Sequence, residues 1–190
     1  MFCFSEKTVA VTNRHIAGDD FFNRVDFLCR SSVKSIILRE KDLPENEYFF
    51  LAQKVLAMGK KYGKKIILHN FASVAEKLKC RYIHLPFSVF KETFPEKSNF
   101  FDERGTSVHS VKQALEAEKL GATYVTFGHV FPTECKKGLE PRGLNCLREV
   151  CNSVKIPVFA IGGITEENLN SVFEYGADAA CVMSLAMVQK

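Results

Sequence analysis

The chain has 190 residues, 46% of them hydrophobic and 25% charged, with a formal net charge of +4 at neutral pH. That size and balance suit one soluble globular domain, and no apolar run approaches the roughly 18 residues that a bilayer-spanning helix needs. The positive excess is mild and scattered, with no basic run interleaved with aromatics. This argues against nucleic acid as a partner and suits a small phosphorylated ligand.

The first residues, Met1-Phe2-Cys3-Phe4-Ser5-Glu6, lack the basic start and apolar stretch of a signal peptide, so cytoplasm is the expected location. Cys3, Cys29, Cys80, Cys135, Cys146, Cys151 and Cys181 are odd in number and never spaced as Cys-x-x-Cys. Reduced thiols are expected, not a disulfide framework or a structural zinc site. Cys135 stands out because Lys136 and Lys137 follow it, and cations lower a thiol pKa.

Along the chain, short β-rich runs alternate with helical patterns. Strands are expected at Thr8–Val11, Ser35–Arg39, Lys65–His69, Tyr82–Leu85, Thr106–Val108, Tyr124–Gly128, Val158–Ile161 and Ala179–Met183. Several are almost wholly apolar, as parallel strands buried on both faces must be. Phe49, Leu51, Ala52, Val55, Leu56 and Met58 form a stripe at helical spacing. Ser73-Val74-Ala75-Glu76 and Ser110-Val111-Lys112-Gln113 match the capping box, and Thr165-Glu166-Glu167-Asn168 reads as a further helix start. Gly121 and Gly176 fall where helix C-caps belong. The stretch 87–103, which contains Pro95, shows no clear helix. Eight strands with intervening helices and no linker predict a single α/β domain over residues 1–190, a (β/α)8 TIM barrel with about 24 residues per unit. A doubly wound sheet is the rival, but Thr12-Asn13-Arg14-His15 after the first strand lacks its Gly-x-Gly-x-x-Gly turn.

Three groups of residues carry chemistry. His129 stands at the end of the sixth strand, in Gly128-His129-Val130-Phe131-Pro132-Thr133-Glu134-Cys135-Lys136-Lys137-Gly138. A side chain that titrates near neutrality, beside cations able to hold an anion, suits proton transfer. Gly162 and Gly163 after the seventh strand, with Met183 and Ser184 after the eighth, occupy the positions where barrels commonly bind phosphate. Arg39 and Lys41, at the end of the second strand, offer two cations to a second anionic group, and Asn70 offers a polar group after the third. His15, His69, His84 and His109 read as structural, with His84 and His109 at strand ends bordering the mouth.

Arg39-Glu40-Lys41, Ser107, Gly128 to Thr133, Lys136-Lys137, Ile161-Gly162-Gly163-Ile164 and Val182-Met183-Ser184 together resemble the thiamine phosphate synthase/TenI superfamily of (β/α)8 barrels. The likeness spans nearly the whole chain, and the segment 128–143 is similar to the TenI branch. Synthases of this superfamily place an aspartate magnesium ligand after the asparagine of the third strand, where this chain has Phe71. Their second acidic ligand follows the fourth strand in a Gly-Gln-x-Asp context, where this chain has Pro86-Phe87-Ser88-Val89.

The TenI likeness implies a thiazole tautomerase, aromatising the carboxythiazolylidene ethyl phosphate made by thiazole synthase. His129 would be its acid/base, with neither metal nor cofactor. Gly162, Gly163, Met183 and Ser184 would hold the phosphate, and Arg39, Lys41, Asn70, Ser107, Thr133 and Lys136 would contact the substrate. The alternatives are thiamine phosphate synthase, a pyrimidine–thiazole transferase, and a non-catalytic thiamine-phosphate-binding regulator. The expected partner is the small-molecule thiazole phosphate, and a homo-oligomer is left open.

Overall fold

A computed structural model describes residues 4–94, 99–136 and 138–188, so Cys3, Pro95 and Lys137 lie outside the described residues, as does the side chain of Cys135. Eight strands follow in chain order around a closed barrel, and every strand pair whose register is resolved is parallel. This is the expected (β/α)8 fold. The strands are β1 (Thr8–Val11), β2 (Ser35–Leu38), β3 (Ile66–His69), β4 (Tyr82–Pro86), β5 (Glu103–Val108), β6 (Tyr124–Gly128), β7 (Val158–Ile161) and β8 (Ala179–Val182). The helices are α1 (Arg14–Ala17), α2 (Phe21–Arg30), α3 (Glu45–Tyr62), α4 (Ala72–Lys77), α5 (Phe87–Thr93), α6 (Val111–Lys119), α7 (Gly143–Ser153), α8 (Leu169–Glu174) and α9 (Ser184–Met187).

Two compact units divide the chain, Met1–His84 with Val182–Lys190 and Leu85–Cys181. In the first, β1, β2 and β3 are buried at every residue, because their β-branched and leucine side chains find apolar neighbours on both faces. Leu38 is in register with Leu68, and His69 with His84. Val25, Leu28, Tyr48, Ala52 and Val55 on α2 and α3 complete that core. The carboxyl-terminal α9 is tied to α2 by the buried Arg24 guanidinium, whose Nη2 and Nε donate to the Ala186 carbonyl at 2.7 and 3.1 Å.

In the second unit, Phe127, Val108, Val125, Phe90, Phe94 and Leu147 are buried. Gly105 of β5 is paired with Tyr124 of β6, and the tyrosine ring fills the space where a Cβ would stand, at 2.0 Å.

Three local expectations are corrected. The stretch after β4 does form a helix, α5, because Phe90 and Phe94, one turn apart, bury and pack their rings 4.7 Å apart. Ser73 lies inside α4 and caps nothing; its hydroxyl donates to Glu45 Oε1 at 2.6 Å. Asn168 Oδ1 accepts from Thr165 N at 2.8 Å in a turn, and α8 begins only at Leu169. Ser110, by contrast, caps α6 as its sequence predicts, accepting from Gln113 N at 3.2 Å.

Candidate functional site

The first unit gathers its chemistry at the carboxyl ends of β1 to β4. Glu40 is buried, its relative exposure 3%, although it sits in a triplet of charges. Its Oε1 accepts from Thr12 Oγ1 at 2.6 Å and its Oε2 from Arg14 N at 3.0 Å, while Thr12 Oγ1 accepts from Arg39 N at 2.9 Å. The backbone carrying Arg39 is therefore pinned to the end of β1. A buried carboxylate persists only when its acceptor positions are filled in this way. Arg14 Nη1 and His15 Nε2 reach Asp42 Oδ2 at 2.7 and 2.9 Å. The His15 bond is the main cause that holds the Asp42 carboxyl below its usual range.

Next to Arg39 and Lys41 lies a pair of imidazoles. The rings of His69 and His84 stack with centroids 5.9 Å apart and planes 18° off parallel. Both are buried, and His69 Nδ1 has no hydrogen-bond partner among the described residues. Burial, reinforced by the charges of Lys41 and Arg39, pushes the His84 pKa down to about 3. Burial first, then His84, Arg39 and Lys41, keeps His69 well below its usual value. Both rings are thus neutral at physiological pH. The strand ends are held by Tyr48, whose hydroxyl donates to the Leu38 carbonyl at 2.7 Å and accepts from His69 N at 2.8 Å.

Asn70 follows with φ 71°, a left-handed conformation that asparagine tolerates better than other side chains. Its N–H donates to the His84 carbonyl at 3.0 Å. In the same unit, Asn13 Nδ2 approaches Met183 Sδ at 3.9 Å, and Ser184 is exposed at the start of α9.

The second unit carries His129. Its backbone is clamped on two sides: the His129 carbonyl accepts from Arg142 N at 2.9 Å, and Val130 N donates to the Ile161 carbonyl at 3.0 Å. Its ring Nε2 donates to the Leu139 carbonyl at 3.3 Å. Gly162 and Gly163, expected to cradle phosphate, also answer to this loop. Both have positive φ, 103° and 67°, and a Cβ on them would meet His129 Cβ and the Pro132 carbonyl oxygen, each at 2.3 Å. Thr133 and Lys136 sit at the loop tip, joined by Lys136 N donating to the Thr133 carbonyl at 3.0 Å. Ser107 Oγ accepts from Thr126 Oγ1 at 3.1 Å. His109, at the end of β5, places Nδ1 2.6 Å from the Gly128 carbonyl.

The geometry thus brings Arg39, Lys41 and Asn70 to one set of strand ends, and His129, Gly162 and Gly163 to another. Sequence reasoning missed the burial of Glu40, the ligation of Thr12, and the His69–His84 stack. A histidine in each of two consecutive strands, placed so that parallel pairing sets them in register, was the available signal for the last of these. The places where synthases of the resembled superfamily hold magnesium do not fit a cation here. Phe71 packs its ring 5.1 Å from that of Tyr48, and Phe87 and Ser88 open α5. No cluster of three His, Cys, Asp or Glu among the described residues could hold a metal.

A parallel (β/α)8 barrel with cations, neutral imidazoles and a glycine pair at its strand ends defines the class of protein. The chain belongs to the thiamine monophosphate synthase family, which matches residues 8–186. It is 34% identical over 168 residues to the putative thiamine-phosphate synthase 2 of Aquifex aeolicus, spanning 88% of this chain and 90% of that protein. Against thiamine-phosphate synthase 2 of Streptococcus pneumoniae the identity is 35% over 180 residues, spanning 91% and 83%. The structure of thiamine phosphate pyrophosphorylase from Pyrococcus furiosus superposes with a TM-score of 0.80 at 29% identity, covering 96% of this chain and 88% of that one.

These relatives correct the functional expectation. The chain belongs to an enzyme family, but its relatives are named thiamine-phosphate synthases, which overturns the thiazole tautomerase reading and the isomerase class that went with it. No described helix is long and apolar enough to cross a membrane.

Proposed function

We propose that the chain is a thiamine-phosphate-forming transferase, joining an aminopyrimidine diphosphate to a thiazole phosphate. In this reaction the bond between the pyrimidine's methylene carbon and the diphosphate oxygen breaks, and the electron pair leaves with the diphosphate. The lone pair of the thiazole nitrogen forms the new carbon–nitrogen bond and leaves a thiazolium. No proton need move. The catalytic demands are to hold two anionic substrates, to stabilise the departing negative charge, and to support cationic character on the methylene.

The observation that carries this reading is the end of β2, where buried Glu40 and Thr12 fix the segment bearing Arg39 and Lys41. Two cations on a pinned backbone suit a leaving diphosphate. The backbone that carries them is already fixed, so less reorientation opposes the reaction as charge develops. Asn70, beside the neutral His69–His84 pair, suits a heteroaromatic ring that carries no formal charge. Gly162, Gly163, Met183 and Ser184 are assigned to the thiazole phosphate. Ser107, Thr133, Lys136 and His129 are assigned to substrate contact.

The test supplies aminopyrimidine diphosphate and thiazole phosphate together, with and without added magnesium, and measures thiamine phosphate and released diphosphate. The expected result is one diphosphate per thiamine phosphate, and none when the thiazole is withheld. Failure to form thiamine phosphate in either condition would overturn the proposal.

A further inference from the structure

His109 has no part in the chemistry so far, yet its tautomer is fixed. Its Nδ1 lies 2.6 Å from the carbonyl oxygen of Gly128, and a carbonyl only accepts, so Nδ1 must carry the proton. In the neutral ring Nε2 is then a bare acceptor. No second side-chain bond ties this ring among the described residues. The backbone is fixed too: His109 N donates to Gln113 Oε1 at 2.8 Å, on the first turn of α6 that Ser110 caps. The residue is exposed just past the carboxyl end of β5, two residues beyond Ser107, and its ring is linked to the residue before His129.

The proposed reaction needs such an acceptor. As the methylene–oxygen bond breaks, the exocyclic amine of the pyrimidine pushes electron density into its ring, and the amine's N–H becomes a stronger donor. An acceptor bonded to that N–H binds the transition state more tightly than the ground state. We infer that His109, held by Gly128 and Gln113, accepts a hydrogen bond from the amine of the aminopyrimidine through Nε2, and is a catalytic residue of this barrel. This rests on the transferase reading and adds one substrate contact to it.

The charged neighbours of the ring are Arg142, Lys136 and His129; with burial, the largest cause, they lower the His109 pKa, while the Gly128 bond opposes them. The acceptor is therefore present at neutral pH and is lost only when acid places a proton on Nε2.

Two variants separate direct contact from mere support. The amide nitrogen of Asn stands roughly where Nδ1 does, so His109→Asn keeps a donor for Gly128 but removes the acceptor. Its kcat/KM for the aminopyrimidine diphosphate is expected to fall about 10- to 100-fold, its KM for the thiazole phosphate to hold, and the acid limb of the pH profile to disappear. His109→Phe should show the same loss together with a lower melting temperature. Wild-type kinetics and pH profile in His109→Asn would overturn the inference.

A measurement on the unmutated protein covers the case of a variant that does not fold. The His109 Nε2 resonance, followed by nitrogen-15 NMR, should shift when aminopyrimidine diphosphate is added alone, and an unmoved resonance overturns the contact. That readout needs no turnover, so it can fail or succeed independently of thiamine phosphate formation.

Discussion

At the scale of single residues, the groups that matter are those whose surroundings leave them one role. Arg39 and Lys41 are the cations of a segment that Glu40 and Thr12 hold in place. Replacing either by Gln should reduce kcat/KM for the aminopyrimidine diphosphate by about 10- to 100-fold, measured by diphosphate release, because a charge-assisted bond is removed. Gly162→Ala would place a methyl group 2.3 Å from His129 Cβ, at a φ of 103° that side chains rarely adopt. A loss of roughly 1–3 kcal/mol in urea unfolding is expected, with a raised KM for the thiazole phosphate as the His129 loop shifts. The position of His129, Arg39, Lys41 and the glycine pair just beyond strand ends was legible, because each follows an apolar run that reads as a buried strand. Glu40 was not, since a run of alternating charges looks solvated until the fold reveals the hydroxyl and amide that satisfy its carboxylate.

At the scale of elements, Tyr48 joins helix to sheet. Its hydroxyl bridges the Leu38 carbonyl of β2 and the His69 amide of β3 from α3, with the ring fully buried. Tyr48→Phe leaves a buried acceptor and a buried donor without partners, which should cost about 1–3 kcal/mol for each group in denaturant unfolding. The strands were well read from sequence: β1, β6 and β7 have the expected bounds, and the others differ only at their ends. Helix starts were less legible. The Ser73 motif has the right spacing, but the serine's hydroxyl bonds Glu45 instead, a tertiary partner invisible to local pattern. Helix α5 escaped notice because its apolar contacts are phenylalanine against phenylalanine, without the polar alternation that marks an amphipathic helix.

At the scale of the whole molecule, the eight-strand rhythm foretold the closed parallel barrel, since each apolar run could be buried only between two neighbours. Sequence likeness to the TenI branch pointed to the wrong chemistry within the right family, because relatives that share a barrel can differ in reaction. Acid stability follows from the histidines. His84 has a folded pKa of about 3 against an ordinary value of 6.5, and His69 is lowered in the same direction. The unfolded chain binds these protons more readily, so their contribution is complete above about pH 6.5 and is lost as pH falls toward 3. Each imbalance of one proton steepens the decline by roughly 1.4 kcal/mol per pH unit. Thermal melts between pH 7 and 4 should show it, and His84→Phe should flatten the slope.

The excursion from His129 to Gly143 is sewn together at its base, where Arg142 and Gly143 return their amides to the His129 and Val130 carbonyls. Its far end, around Leu139, stands in solvent. Lengthening or reshaping a stretch anchored like this costs little closure entropy. Nature and the protein engineer can therefore redraw what greets an incoming molecule there without disturbing the foundations beneath.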